Sequence, residues 1–198
     1  MLSMLGAENF IANKELDKDA WLAAREGKIT ATLIAKASTP AGMEEAVVKL
    51  RGDAPPVIDN AYMEFGRRME GYVSLWVKDR YDVMPNEWLI AHRDRPEFVA
   101  TPDGISLDHT FISEVKTTGK DWGEWSKVPA NYKRQVQWQM FVTGAKSCVF
   151  AWLLREEREG RFVSGWFEPK AVIVERDDEE IRELSAVADR LLATIKEG

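Results

Sequence analysis

With 198 residues, 45% of them hydrophobic and 30% charged, the chain has the composition of one ordinary globular domain, which excludes a wholly disordered or fibrous protein. A net charge of −6 and a pI of about 5.2 argue against broad, nonspecific adhesion to nucleic acid, although a local basic groove is compatible with both. Cys148 is the sole cysteine, so an internal disulfide and a cysteine-based zinc or iron–sulfur site are excluded, and the surrounding CVFAWLL reads as a buried strand.

The opening MLSMLGAENF lacks the basic-then-apolar form of a secretory signal, and no segment reaches the ~18 uninterrupted apolar residues of a membrane span. A cytoplasmic location is the expectation. DKDAWLAAREG predicts a short helix capped by Asp17 or Asp19 and closed by Gly27, and TATLIAKAST a second one capped by Thr30 or Thr32. Residues 38–58 hold Pro and Gly at both ends around a possible helical turn and read as an insertion or flap within a single domain over 1–198. From Asp59 or Asn60 a long helix is predicted, with Tyr62, Phe65, Met69, Tyr72 and Trp76 as its buried stripe and Glu70 at the stripe's edge.

EWLIAH, FVATPDGIS and FISEVKT predict three strands, with hairpin signals at Pro96 and SLDHT. NYKRQVQWQMFVTG predicts a helix ended by Gly144. CVFAWLLRE and KAVIVE predict two more strands, and RDDEEIRELSAVADRLLATIKEG an amphipathic helix with acids in its first turn. His92 and His109 lie near turns without ligand spacing and read as incidental.

The chemistry sits in residues 100–117, ATPDGISLDHTFISEVKT. Side chains on a strand alternate faces, so Glu114 and Lys116 project to one side roughly 6.5–7 Å apart, while Phe111, Ser113 and Val115 face the other. A hairpin returns Asp103, held between Pro102 and Gly104, to a place beside Glu114. Two carboxylates so placed repel unless a proton or cation intervenes. Hard divalent cations prefer oxygen ligands, and Mg²⁺ takes one or two carboxylates with waters and phosphate oxygens. A lysine alongside can orient a water or steady negative charge, which points to metal-assisted phosphodiester hydrolysis. Taken singly, Pro-Asp-Gly is a favoured turn and Glu-x-Lys a same-face ion pair worth under ~1 kcal/mol, so the conjunction carries the reading.

These residues resemble the PD-(D/E)xK nuclease superfamily and, within it, the phage lambda-type alkaline exonucleases. WLAAREGKITAT is similar to that family's phosphate-pocket segment, FGRRME to its helix glutamate, ATPDGIS and SEVKT to its metal centre, YKRQVQWQMFVTGA to its glutamine-bearing helix and VIVERDDEEI to the lead into its last helix. The matches run in family order over roughly residues 20–190. The resemblance implies an α/β fold with a restriction-endonuclease-like core, a mixed central β-sheet flanked by α-helices. It implies that Asp103, Glu114 and the carbonyl of Val115 hold Mg²⁺, with Mn²⁺ as a substitute, and that Lys116 is the catalytic amine. Gln137 would hold the water or the lysine, Glu70 would complete the acidic cluster, directly or through a metal-bound water, and Arg25, Thr32 and Thr101 would receive a terminal 5′-phosphate. Thr32 stands where the family has serine, and residues 38–58 have no alignable counterpart. Trp122, Trp125, Lys120 and Lys127 interleave as a loop able to stack bases and contact phosphates, or to pack as core.

The activity so implied is 5′-to-3′ digestion of one strand of linear double-stranded DNA to 5′-mononucleotides, leaving a 3′ strand for recombination. A homotrimer around the duplex, a single-strand annealing protein as partner, no membrane association, and a phage or prophage origin in a bacterial cytoplasm are the associated expectations. The rivals are a structure-selective repair endonuclease on the same core and a catalytically silent DNA-end-binding recombination scaffold.

Overall fold

Local chemistry sets most helix boundaries. Helix α1 (Lys18–Arg25) starts where the Asp17 carboxylate accepts the Ala20 N–H at 2.9 Å. Helix α2 (Ala31–Ala37) starts where the Thr30 hydroxyl accepts from Leu33 N–H. Helix α4 (Ala61–Tyr81) starts at Asn60, whose side-chain carbonyl accepts from Tyr62 and Met63. Helix α5 (Ala130–Thr143) stops at Gly144, which takes the left-handed conformation at φ 75°. Helices α3 (Pro40–Leu50) and α6 (Asp178–Glu197) complete the set.

The strands are β1 (Phe10–Asn13), β2 (Ile29–Thr30), β3 (Met84–Pro85), β4 (Trp88–Ala91), β5 (Phe98–Ala100), β6 (Gly104–Ile105), β7 (Phe111–Thr118), β8 (Ser147–Arg158), β9 (Arg161–Ser164) and β10 (Lys170–Glu175). The computed structural model describes residues 5–197, so the first four residues of the opening segment and the last residue of the final helical stretch lie outside it.

A large mixed sheet runs in the order β10-β8-β7-β6-β3, with β7 and β8 parallel and the other neighbours antiparallel; β9 pairs with the far end of β8 as a ribbon. Val73 and Val77 of α4 cover one face against Val115, Val149 and Leu153. Val136 and Met140 of α5 cover the other against Ile112, Phe150 and Trp152. This is a central mixed sheet flanked by helices, as expected. A smaller sheet, β1-β4-β5-β2, joins α2, α3, α5 and α6 around Ile34, Phe98, Trp138 and Leu191. Helix α5 is thus wedged between two cores, and its glutamines must find partners or bear the cost of dry, unpaired amides. Among the described residues no helix is long and apolar enough to cross a membrane.

Three expectations change. FVATPDGIS is two strands, because Pro102 offers no N–H to a ladder and the chain leaves the small sheet at Ala100 and enters the large one at Gly104. The inner row of α4 is Phe65, Met69, Val73 and Val77, at steps of four; Tyr62 and Tyr72 are exposed and Trp76 packs beside the row. Residues 40–50 form a full helix with Ala46 buried against α2 and α6, so only the exposed stretch 51–60 keeps the character of a flap.

Candidate active site

The corner between the two sheets places Asp103. Its N–H donates to Ser113 O at 2.9 Å, and its carbonyl accepts the Asn86 N–H at 3.0 Å. The buried Asn86 side chain also donates to Pro102 O at 2.9 Å. Gly104 follows because nothing larger fits: a Cβ there would lie 2.4 Å from Ser113 Oγ and 2.9 Å from Met84 O. The turn therefore has one setting, which aims the Asp103 carboxylate at β7, where Oδ2 accepts the Val115 N–H at 2.6 Å. The N–H and C=O of one strand residue point the same way, so the Val115 carbonyl is directed to that side too.

Glu114 is 2% exposed on the α5 face of β7. Gln135 donates to its Oε1 at 2.6 Å, Gln139 to its Oε2 at 2.7 Å, and the Lys116 ammonium to Oε1. Lys116 also lies 5.1 Å from the Tyr132 ring centroid. Burial, then the Glu114 carboxylate, push the Asp103 carboxyl well above its ordinary value, with Lys116 opposing. Burial presses Lys116 toward neutrality, but Glu114 and Asp103 outweigh it, so its pKa is raised and it is an ammonium.

Two carboxylates held together with a carbonyl beside them, and neither thiol nor imidazole among them, suit a hard divalent cation such as Mg²⁺ or Mn²⁺. Among the described residues no three His, Cys, Asp or Glu side chains gather closely enough to hold one ion by themselves, so waters or phosphate oxygens would complete a cation's shell. Glu70 is near enough for its charge to act on Asp103, and it lines both cavities that meet at this centre.

The smaller cavity, about 180 Å³, is lined by Arg25, Thr32, Thr101, Lys14, Trp21 and Asp103, among others. Arg25 packs 4.0 Å from the Trp21 ring centroid and makes no ion pair among the described residues. Thr101 Oγ1 and Trp21 Nε1 are buried without a partner. A half-buried guanidinium beside orphaned donors is a poor structural element and a good anion receptor. The larger groove, about 910 Å³, crosses the C-terminal end of β7 and is lined by Lys116, Lys120, Tyr62, Tyr132 and Arg155, among others.

One sequence expectation is corrected and one open alternative is decided. Gln137 faces away from Glu114: its Nε2 donates to Glu175 O at 3.0 Å and its Oε1 accepts the Asp177 N–H at 2.8 Å, tying α5 to the start of α6. Residues 135 and 139 share a helix face and 137 does not, so the i,i+4 pair in QVQWQ was the informative signal. Of the two readings of the tryptophan loop, packing is the one Trp122 takes: 5% exposed at the groove's edge, it lies against Tyr132, Phe150 and Trp152. Trp125 is half-buried against Phe150 at 5.2 Å, Lys127 pairs with Glu124 at 3.4 Å, and Lys120 is exposed on the groove. Asn86, Trp21, Lys14, Gln135 and Gln139 were missed; Asn86 sits in a turn-like MPNEW that gives no hint of its distant partners.

A profile of the YqaJ-like viral recombinase domain matches residues 20–146. The chain is similar to the alkaline exonuclease LHK-Exo of Laribacter hongkongensis, with 26% identity and a TM-score of 0.71 over 90% of this chain and 93% of that one. The same values hold for a crystal structure of LHK-Exo in complex with dAMP. A phage-related exonuclease from Haemophilus somnus 129PT, 14% identical, shares the fold with a TM-score of 0.64 over 86% of this chain and 96% of that one. A search of the curated proteins finds no match.

Proposed function

From a chain that belongs to the YqaJ-like viral recombinase domain family and has the character of a lambda-type alkaline exonuclease, we propose a divalent-metal-dependent enzyme. It digests one strand of linear duplex DNA from its 5′ end to 5′-mononucleotides. The observation that carries the proposal is the junction of the small cavity with the Asp103–Glu114–Lys116 centre, through Asp103 itself. LHK-Exo's complex with dAMP supports a mononucleotide-sized product.

Asp103, Glu114 and the Val115 carbonyl would hold Mg²⁺, which when bound supplies charge stabilisation at the scissile phosphate and a more acidic water. Gln135 and Gln139 fix both oxygens of Glu114, so its remaining lone pairs keep one orientation. Lys116, protonated against Glu114 in the metal-free protein, is the group that steadies developing negative charge once that pairing is exchanged. Arg25, Thr101 and Thr32 receive the terminal 5′-phosphate, and Glu70, at the boundary of both cavities, faces the nucleotide between that phosphate and the cut. The same proposal includes a homotrimer, a single-strand annealing partner and a phage origin.

The test is release of acid-soluble nucleotide from linear duplex DNA in Mg²⁺, with EDTA and Asp103→Asn as controls. Release that persists in either control removes the proposal, and so does a well-folded wild type that releases nothing.

A further inference from the structure

Beyond the Asp103–Glu114–Lys116 centre, in the lining of the large groove, an arginine and an aromatic ring gather with a second ring in a way the proposed hydrolysis does not use. Thr118, the last residue of β7, pairs with Leu154 on β8, and Arg155 is the next residue along. Its guanidinium lies 4.4 Å from the Tyr62 ring centroid and 5.2 Å from that of Phe162, while those rings are 4.9 Å apart and tilted by 30°. Tyr62 comes from the first turn of α4 and Phe162 from β9, so the β8–β9 ribbon and a helix distant in sequence build one platform. Gly119 leaves the strand end open beside it: a Cβ there would meet Arg155 Nη2 at 3.7 Å.

The charges around this arginine are unbalanced. Arg155 is half-buried and makes no ion pair among the described residues; Glu156 engages Arg158 at 2.7 Å instead. Among the described residues the groove holds Lys116, Lys120, Arg67 and Arg155 against Glu70 as its one lining acid; Arg67 is engaged by Asp59 and Lys116 by Glu114, which leaves Lys120 and Arg155 without an ion pair. A guanidinium held close against two aromatic rings is pre-organised, and its N–H groups that do not face the rings are left for an oxyanion. Tyr62, 55% exposed, leaves much of its ring to solvent in the same groove.

We propose that Arg155, propped by Tyr62 and Phe162, binds a backbone phosphate of the digested strand on the 3′ side of the scissile bond, with Tyr62 offering its ring to the adjoining base. The inference rests on the assignment of the small cavity to the 5′ end. With the terminal phosphate at Arg25 and the next one at Asp103 and Glu114, the strand continues past Lys116 into the groove that Arg155 lines. Phosphate contact with aromatic support is how non-sequence-specific proteins follow a single backbone.

The test is equilibrium binding of a 5′-phosphorylated duplex to the full chain over a salt series, with Ca²⁺ replacing Mg²⁺. Arg155→Ala should weaken binding on the order of tenfold and reduce the log–log salt slope by about one, and Arg155→Lys should restore the slope without the full affinity. Neutral methylphosphonate linkages, placed singly in the digested strand just beyond the scissile position, should cost the wild type about as much as Arg155→Ala does. They should cost Arg155→Ala little more. That arm needs only wild-type protein to reveal the contact, so it stands even where the alanine variant fails to fold. Unchanged slope and affinity in well-folded Arg155→Ala overturn the inference, as do coupling to linkages in the complementary strand only and a wild type that does not bind DNA. A wild type that binds with the predicted Arg155 dependence and yet releases no nucleotide in Mg²⁺ unseats the nuclease reading and leaves the phosphate site standing.

Discussion

The two cavities that meet at Glu70 differ in how they hold their polar groups. In the small one, about 180 Å³, Arg25 is packed on Trp21 and the Thr101 hydroxyl is buried without a partner, so the receptor is shaped before anything arrives. In the large one, about 910 Å³, Lys120 is exposed and Tyr62 half open to solvent, so its lining can follow a chain of nucleotides whose sequence varies. Fixed orphaned groups select one small anion; a spread of cations and rings accommodates a polymer. On the proposed reading, the contrast accounts for DNA binding by a chain of net charge −6: its cations would be few at the site and placed for use.

The largest expected effect comes from breaking the centre both cavities share. Lys116→Ala should lower single-turnover cleavage by about 10³-fold while DNA binding in Ca²⁺ stays within a few-fold. Uncoupling the two regions comes next. Arg25→Ala should slow digestion of 5′-phosphorylated ends by roughly 10–100-fold and leave 5′-hydroxyl ends nearly unaffected, as expected for loss of one charge-assisted phosphate contact. Equal losses on both ends would remove the anion-receptor role.

A smaller contrast lies within α5. Gln139→Leu should cut kcat about tenfold by freeing one oxygen of Glu114, with the loss appearing in kcat rather than KM. Gln137→Leu should instead cost about 1–2 kcal/mol of stability in denaturant unfolding, with kcat per folded molecule unchanged. An effect of similar size concerns the stored repulsion at the centre. Asp103 has a raised pKa through burial and Glu114, so the folded metal-free protein binds a proton that the unfolded chain releases near the ordinary carboxylate value. Stability without metal should therefore fall as pH rises from that ordinary value to the raised one. Asp103→Asn should remove the slope and stabilise the metal-free protein at neutral pH by roughly 1–2 kcal/mol, read by thermal unfolding across pH.

Much of this geometry was readable locally. Helix starts at Asp17, Thr30 and Asn60 and the stop at Gly144 are decided by side chains within a few residues, and strand alternation alone put Glu114 and Lys116 on one face. What escaped was set by distant partners. Strands β2, β3 and β6, with two residues each, carry no periodicity, and their existence depends on β5, β6 and β7 lying alongside. The β8–β9 ribbon turns through Glu159 and Gly160, both with positive φ, a two-residue turn for which Glu-Gly is an uncommon sequence signal. On α4 the aromatic residues suggested one stripe, but the valines won because the face toward β7 and β8 admits branched aliphatic side chains at four-residue steps. The family pattern singled out a glutamine in QVQWQ, and helix geometry assigns Glu114 to its first and last members.

The most direct measurement is a time course on linear duplex DNA labelled at the 5′ phosphate, run in Mg²⁺ beside a closed circular duplex. The account predicts that the first labelled product is a 5′-mononucleotide and that the circle stays intact. Label appearing first in longer oligonucleotides, or nicking of the circle, would contradict it.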